Sequence, residues 1–303
     1  MSVSILSIIA GTFSSATPIA LAGVGGIFGE KSGIVNIGLE GTMLFGAFSA
    51  AAASYYTNNA WLGLLCGVLV SVLISLLHAF LCIRVKIDHN VSGLAINIAA
   101  TNITIYFTST LFGNKGTTPP VPKLPNVTIP LLSDIPGIGV LFRELSILTV
   151  AVPFLVVIVY YVLYKTDFGL HVIASGEKPR AAYVLGINVE RTQYLAVLIG
   201  GLFCGLAGGF LSISYLGMFV KSMTASRGFI AIATILVGRY NPIGVAFAGL
   251  LFGFAMAIQM AFQGIINIPG EIIQCLPYVL TIVVVVLGEL QYRKKTTVLQ
   301  AQV

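Results

Sequence analysis

Apolar residues in this chain fall into long runs separated by short polar stretches. A helix that crosses the hydrocarbon core of a bilayer needs about 20 predominantly apolar residues. Nine stretches approach that pattern: Ile5–Gly26, Leu39–Tyr56, Trp61–Ile83, Val91–Phe112, Leu145–Tyr164, Thr192–Ile213, Gly228–Arg239, Pro242–Phe262 and Ile272–Leu287. The seventh is short enough to be a half-span or a re-entrant segment. A broken helix within the glycine-rich stretch Gly29–Gly38 would bring the number to ten. The expectation is an all-α, polytopic integral membrane protein of nine to ten transmembrane helices, forming one domain over residues 1–303.

The polar breaks suggest an orientation. If the C-terminal tail is cytoplasmic, inner segments hold eleven of the 16 Lys and Arg residues, and outer segments hold Lys115, Lys123, Arg143, Lys221 and Arg227. That bias agrees with the enrichment of basic residues in cytoplasmic loops. Nine spans then put the N-terminus outside, and ten would move it inside. Residues 113–144 form the one long external segment, with Pro119, Pro120, Pro122, Pro125, Pro130 and Pro136 barring a long helix. It reads as a surface loop or as a ledge for an external protein. Residues 291–303 read as a cytoplasmic tail. The first residues, MSVSILSIIAGTF, lack the basic start of a secretory signal and read as the first span.

Composition supports the membrane class. Hydrophobic residues make up 57%, charged residues 9%, and the mean hydropathy is +0.99, whereas soluble domains are about 25% charged. The net charge of +6 sits near span ends and forms no basic stripe, so no nucleic-acid partner is expected. The 33 glycines suit close helix packing in lipid. Cys66, Cys82, Cys204 and Cys275 fall in or beside apolar runs without metal-ligand spacing, which predicts small core residues and no metal site.

The longest polar interruption with a helical pattern is Lys165–Arg191 (KTDFGLHVIASGEKPRAAYVLGINVER). Glu177, Lys178 and Pro179 open a short segment in it, Arg180–Leu185 allow about two helical turns, and Gly186 stops them before Ile187. Ala181, Ala182 and Leu185 are expected to share a face, with Lys178 and Arg180 in solvent. A helix so small between two spans suits contact with another protein.

Three stretches carry a family resemblance: Phe168–Ile187 (FGLHVIASGEKPRAAYVLGI), Gly29–Gly41 (GEKSGIVNIGLEG) and Ser226–Gly244 (SRGFIAIATILVGRYNPIG). The first resembles the cytoplasmic coupling loop of ATP-binding-cassette importer permeases serving ribose, branched-chain amino acids and nucleosides. The other two resemble the smaller permease subunit of nucleoside or simple-sugar importers. The resemblance implies a type II importer-like permease in a bacterial inner membrane. It also implies three partners besides membrane lipid: a sister permease forming a heterodimer, an ATPase with two nucleotide-binding modules, and an extracytoplasmic substrate-binding lipoprotein. Residues Glu177–Ile187 would then couple to the ATPase.

Polar groups within the spans are candidates for the solute path, since they are costly in lipid. Glu40 either pins its glycine-rich neighbourhood or accepts hydroxyl bonds from a solute. Asn97 and Thr101 share a helix face, with Asn102 beside them, and Gln259 and Gln263 form a second pair at the same spacing. Each set reads as interhelical glue or as a lining for a neutral, hydroxyl-rich solute. Arg227 reads as an outer interfacial anchor, a gate, or a contact for the binding protein. His78 reads as a satisfied packing residue.

No GxxxxGK[ST] sequence occurs, so the chain itself is not expected to be an enzyme or to bind a cofactor, with ATP and magnesium used by the partner. The leading function is nucleoside import. A ribose-like simple-sugar permease is the alternative, and an ion-coupled secondary transporter or a membrane scaffold are readings from other classes.

Overall fold

The computed structural model describes residues 5–114, 116–128, 145–263 and 279. The first four helices are α1 (Ile5–Lys31), α2 (Leu39–Thr57), α3 (Ala60–Ala79) and α4 (His89–Phe112). After two short strands, β1 (Asn126–Val127) and β2 (Leu145–Ser146), come α5 (Ile147–Lys165), α6 (Asp167–Glu177) and α7 (Pro179–Val184). The described chain ends with α8 (Val189–Gly209), α9 (Arg227–Val237) and α10 (Pro242–Phe262). π-helical turns extend α3 over Phe80–Arg84 and α8 over Phe210–Leu216. Among the described residues, six helices are long and apolar enough to cross a membrane.

Eight of the nine expected spans therefore coincide with helices, and the ninth, Ile272–Leu287, lies outside the described residues. No separate helix forms in Gly29–Gly38: Gly29 to Lys31 complete α1, and turns follow up to α2. The tail 291–303, together with Pro130, Pro136 and Cys275, also lies outside the described residues.

Helix starts follow the side chains at them. Asn59, Asp88, Ser146, Thr166, Asn188 and Asn241 each accept a bond from a backbone N–H in the first turn of the next helix. Each satisfies one of the donors that a helix start leaves open. The exceptions are α2, whose cap is Gly38, α7, whose cap is Lys178, and α9, which follows Ser226 in a left-handed conformation; none of these cap residues supplies a side-chain bond.

Small residues let α2, α3 and α8 approach closely. A methyl group added to Gly67 of α3 would come within 2.8 Å of both the Ala50 methyl and the Gly46 carbonyl of α2. Ser71 reaches from α3 to the Thr42 carbonyl at 3.1 Å. Direct van der Waals contact of backbones replaces bulky side chains here, as expected where lipid offers helices no hydrophobic drive to associate. α1 sits centrally, against α8, α9 and α10, and Thr17 ties it to Thr149 of α5 at 3.0 Å.

The first part of the proline-rich segment is a held ribbon. Thr118, Val121 and Leu124 donate backbone bonds to Phe219, Gly217 and Ile213 at 2.9–3.0 Å, and Ser54 reaches the Pro122 carbonyl at 3.0 Å. The segment after α8 then turns back into the bundle. Phe219 meets Phe48 edge-on at 5.3 Å, in the middle of α2. By Ser226 the chain has descended to Glu40, eight residues earlier on α2 or roughly 12 Å along the helix axis. From there α9 runs for 11 residues, about 16 Å and too short to cross a bilayer.

Candidate functional site

Two short helices define the functional geometry. α7 stands at one end of the bundle. Its Pro179 occupies the first turn, where a missing N–H costs nothing. At its other end, Gly186 N–H donates to the Tyr183 carbonyl at 3.0 Å and Ile187 N–H to the Ala182 carbonyl at 3.1 Å. This is the Schellman pattern, and Gly186 has the left-handed φ of +84° that it requires. The stop expected at Gly186 is therefore present.

The faces of α7 differ from the sequence expectation. Ala182 is 2% exposed and packs on its own chain, whereas Leu185 is 80% exposed, with Tyr183 and Val184 beside it at 75% and 83%. Ala182 and Leu185 thus do not share a face, because Leu185 has already left helical geometry as the cap residue. Glu177, Lys178, Pro179, Arg180 and Ala181 are exposed. A groove of about 890 Å³ opens between this tip and the start of α8 from Asn188 to Gln193, with Ile83 also lining it.

α6 seats this tip on the end of α1. Phe168 lies 6.3 Å from Phe28, and a methyl group on Gly176 would collide with the Lys31 backbone and reach within 3.0 Å of Gly33 N. Beside that contact, Gln193 donates to the Ser32 carbonyl at 3.0 Å. Lys31 itself sits 6.0 Å from the Tyr240 ring. Burial, and then the charge of Glu30, push the Tyr240 phenol up, so it stays neutral beside that lysine.

The connector from Ser32 to Gly41 joins this end to α9. Asn97 of α4 holds it twice, accepting from Gly41 N–H at 2.7 Å and donating to the Ile37 carbonyl at 3.1 Å. Glu40 then reaches across. Its Oε1 accepts from Ser226 N–H at 2.9 Å and its Oε2 from Gly228 N–H at 2.6 Å. The carboxylate of one helix thus caps the start of another, where open amides and the helix dipole both favour negative charge. Any side chain at Gly228 would strike the Glu40 backbone.

Arg227 was expected to be an exposed anchor, gate or partner contact. The structure buries it to 6% exposure, with one terminal nitrogen donating to the Met223 and Thr224 carbonyls at 3.2 Å and Nε without a partner. It follows that Arg227 does not belong among the outer charges. A glycine-flanked arginine at the edge of an apolar run resembles a membrane boundary, but here the run begins inside the bundle.

The remaining polar candidates separate into two groups. Asn97 and Glu40 are fasteners of the connector, and Thr101 bonds back to the Asn97 carbonyl at 3.1 Å. Asn102 lies on the exposed face of α4 and donates to the Ile98 carbonyl at 2.8 Å. Gln259 is half-buried and Gln263 exposed at the far end of α10. Among the described residues no hydrogen bond joins them to Glu40 or Asn97. The sequence reading did not single out Tyr183, Val184, Gly176, Gln193 or His89. Only the first two left a visible signal, as apolar residues inside a polar loop.

A many-helix membrane bundle with a solvent-exposed, self-capped helix at one end is the architecture of a transport permease. Residues 8–285 match the family model described as branched-chain amino acid transport system / permease component, and the chain belongs to that family. It is 38% identical to the guanosine ABC transporter permease protein NupQ of Bacillus subtilis, covering 92% of this chain and 91% of that one. It is 36% identical to the nucleoside ABC transporter permease protein NupC of Lactococcus lactis, over 92% and 91%. Against the putative glucose ABC transporter permease protein TsgC13 of Haloferax volcanii the identity is 33%, over 84% and 77%. No solved structure matches the chain.

Proposed function

We propose that this chain is the smaller permease subunit of an ATP-driven importer that carries nucleosides into a bacterial cell across the inner membrane. The observation that carries the reading is the exposed apolar tip Tyr183–Leu185 on a helix stiffened at both ends. Three adjoining large apolar side chains in water at a rigid tip suit a protein partner, and the partner in this reading is an ATPase with two nucleotide-binding modules. The tip end of the bundle is then cytoplasmic and the Thr118–Leu124 ribbon external, where a substrate-binding lipoprotein would dock. A sister permease completes the path, and the chain itself needs no cofactor.

The solute assignment rests on the nucleoside-named relatives. The path residues best placed for a neutral hydroxylated solute are Asn102, with Thr101 next to it, on α4 and Gln259 and Gln263 at the end of α10, since Glu40 and Asn97 are engaged with backbone. Simple-sugar import is the second reading, supported by the relative named as a glucose permease.

The complex, reconstituted in proteoliposomes with its binding protein, should take up guanosine or another nucleoside only with ATP. Uptake of glucose or ribose in place of nucleosides would overturn the solute assignment. Nucleoside uptake by this chain alone without ATP would overturn the class.

A further inference from the structure

The connector between α1 and α2 is held by residues from distant parts of the chain, and one of its residues is held by two imidazoles. Val35 N–H donates to Nδ1 of His89 at 3.3 Å, and the Val35 carbonyl lies 3.2 Å from Nε2 of His78. His78 belongs to α3 and His89 opens α4. The two side chains therefore satisfy both polar groups of a residue that lies in neither a helix nor a strand.

The two imidazoles differ in their access to water. His78 is 0% exposed, with Nδ1 2.9 Å from the Ser92 hydroxyl and the Cys82 sulfur 3.7 Å from Nε2. One neutral tautomer satisfies it: Nε2–H donates to Val35, and Nδ1 accepts from Ser92. His89 is half-buried and lines an open depression of about 360 Å³ together with Val35, Cys82, Lys86, Ile87, Asp88 and Asn90. To accept from Val35, its Nδ1 must carry no proton. A protonated His89 would set one N–H against another.

The position of Val35 gives this bond its reach. Three residues before it, Ser32 takes the bond from Gln193, and Gly33 lies under Gly176 of α6. Five residues after it, Glu40 holds the start of α9. The span that Val35 anchors therefore lies between the contacts of the α6–α7 loop and those of α9.

We propose that His89 is a positioning residue for transport: its neutral imidazole fixes the connector that links the α6–α7 loop to Glu40 and α9, and a proton taken from the cytoplasm releases it. This rests on the coupling role given above to α6 and α7. The groups facing His89 are few. Asp88 on its own element spends Oδ1 on the N–H groups of Asn90 and Val91. From the α3–α4 turn and the end of α3, Lys86 and Cys82 line the same depression, and His78 stands across Val35. The connector residues 32–38 carry no charged side chain. The tie is complete while Nδ1 of His89 carries no proton and is lost when it carries one.

The test compares wild type with His89→Asn, whose side-chain oxygen can take the place of Nδ1 without titrating. In the full chain in nanodiscs, hydrogen exchange of the 32–38 segment is measured against the variant at about pH 8 and about pH 5.5, bracketing histidine titration. In the assembled complex, solute taken up per ATP hydrolysed is measured at the same two pH values. Wild type should lose protection and coupling ratio at the acidic value, each roughly five-fold, the worth of one hydrogen bond. His89→Asn should hold both nearly constant. An equal acid response in wild type and variant overturns the proposal, as does a loss of protection with an unchanged coupling ratio. A wild-type complex without ATP-driven uptake at either pH defeats the coupling reading itself, whereas uptake with no difference between the two proteins defeats only the role of His89.

Discussion

α7 and α9 are both too short to cross a membrane, and they are completed in opposite ways. α7, six residues long, closes its own end with Gly186 and leaves Tyr183, Val184 and Leu185 in water. α9, 11 residues long, supplies no side-chain cap of its own and borrows the Glu40 carboxylate from α2. Isolated helices this short are marginal in water. α7 therefore needs a seat, which Ala182 and α6 provide, and α9 needs a cap, which another helix brings. The difference shows where each helix is free. α7 turns its apolar side chains away from the rest of the chain, and the start of α9 is tied to α2 through Glu40.

The contrast predicts an ordering of damage. Glu40→Ala leaves two amide donors at α9 unpaired inside the bundle, at about 1–3 kcal/mol each. Thermal unfolding of the purified chain in detergent should shift down strongly. Glu40→Gln keeps one acceptor oxygen and should fall between the two, and wild-type melting of Glu40→Ala would show that α9 does not depend on this cap.

Gly186→Val should act on α7 alone. A left-handed conformation costs a side-chain-bearing residue about 1–2 kcal/mol, more for a branched one, and the added group meets nothing within 4 Å. Melting of the chain should change little, while ATP-driven uptake by the complex falls about ten-fold or more. Unchanged uptake would mean that the shape of α7 does not matter for transport.

Arg84→Ala should have the smallest effect. Arg84 and Glu190 pair at 3.7 Å with side chains 70% and 50% exposed, and such pairs contribute about 0–1 kcal/mol, screened by salt. Melting of this variant should match wild type within error, and a large shift would place the pair in a network.

The long helices were legible because apolar runs of span length have few other uses. Gly186 was legible because a glycine after a short helical pattern has a narrow conformational role. The direction in which Ala182 points was not, since six residues give too few positions to read a period. The depth of Arg227 was hidden for a different reason: hydropathy records where an apolar run begins, and not whether it begins at the bilayer surface or inside the bundle. Glu40 was recognisable as a costly charge beside glycines, but its partners lie 186 and 188 residues away. The bonds of His78 and His89 to Val35 span 43 and 54 residues, again beyond any local pattern.

In the proposed complex, the exposed tip of α7 meets the ATPase. The most direct test of that contact is the double substitution Tyr183→Ser, Leu185→Ser. Tyr183 is 75% and Leu185 80% exposed, so the chain itself should melt within about 0.5 kcal/mol of wild type. With the permease pair in nanodiscs, the affinity of the purified ATPase is measured for wild type and the double variant. Binding should weaken about ten-fold or more, since large side chains at the centre of an interface carry most of its energy, while the two permeases stay together. Unchanged ATPase affinity and unchanged ATP-driven uptake would contradict the contact.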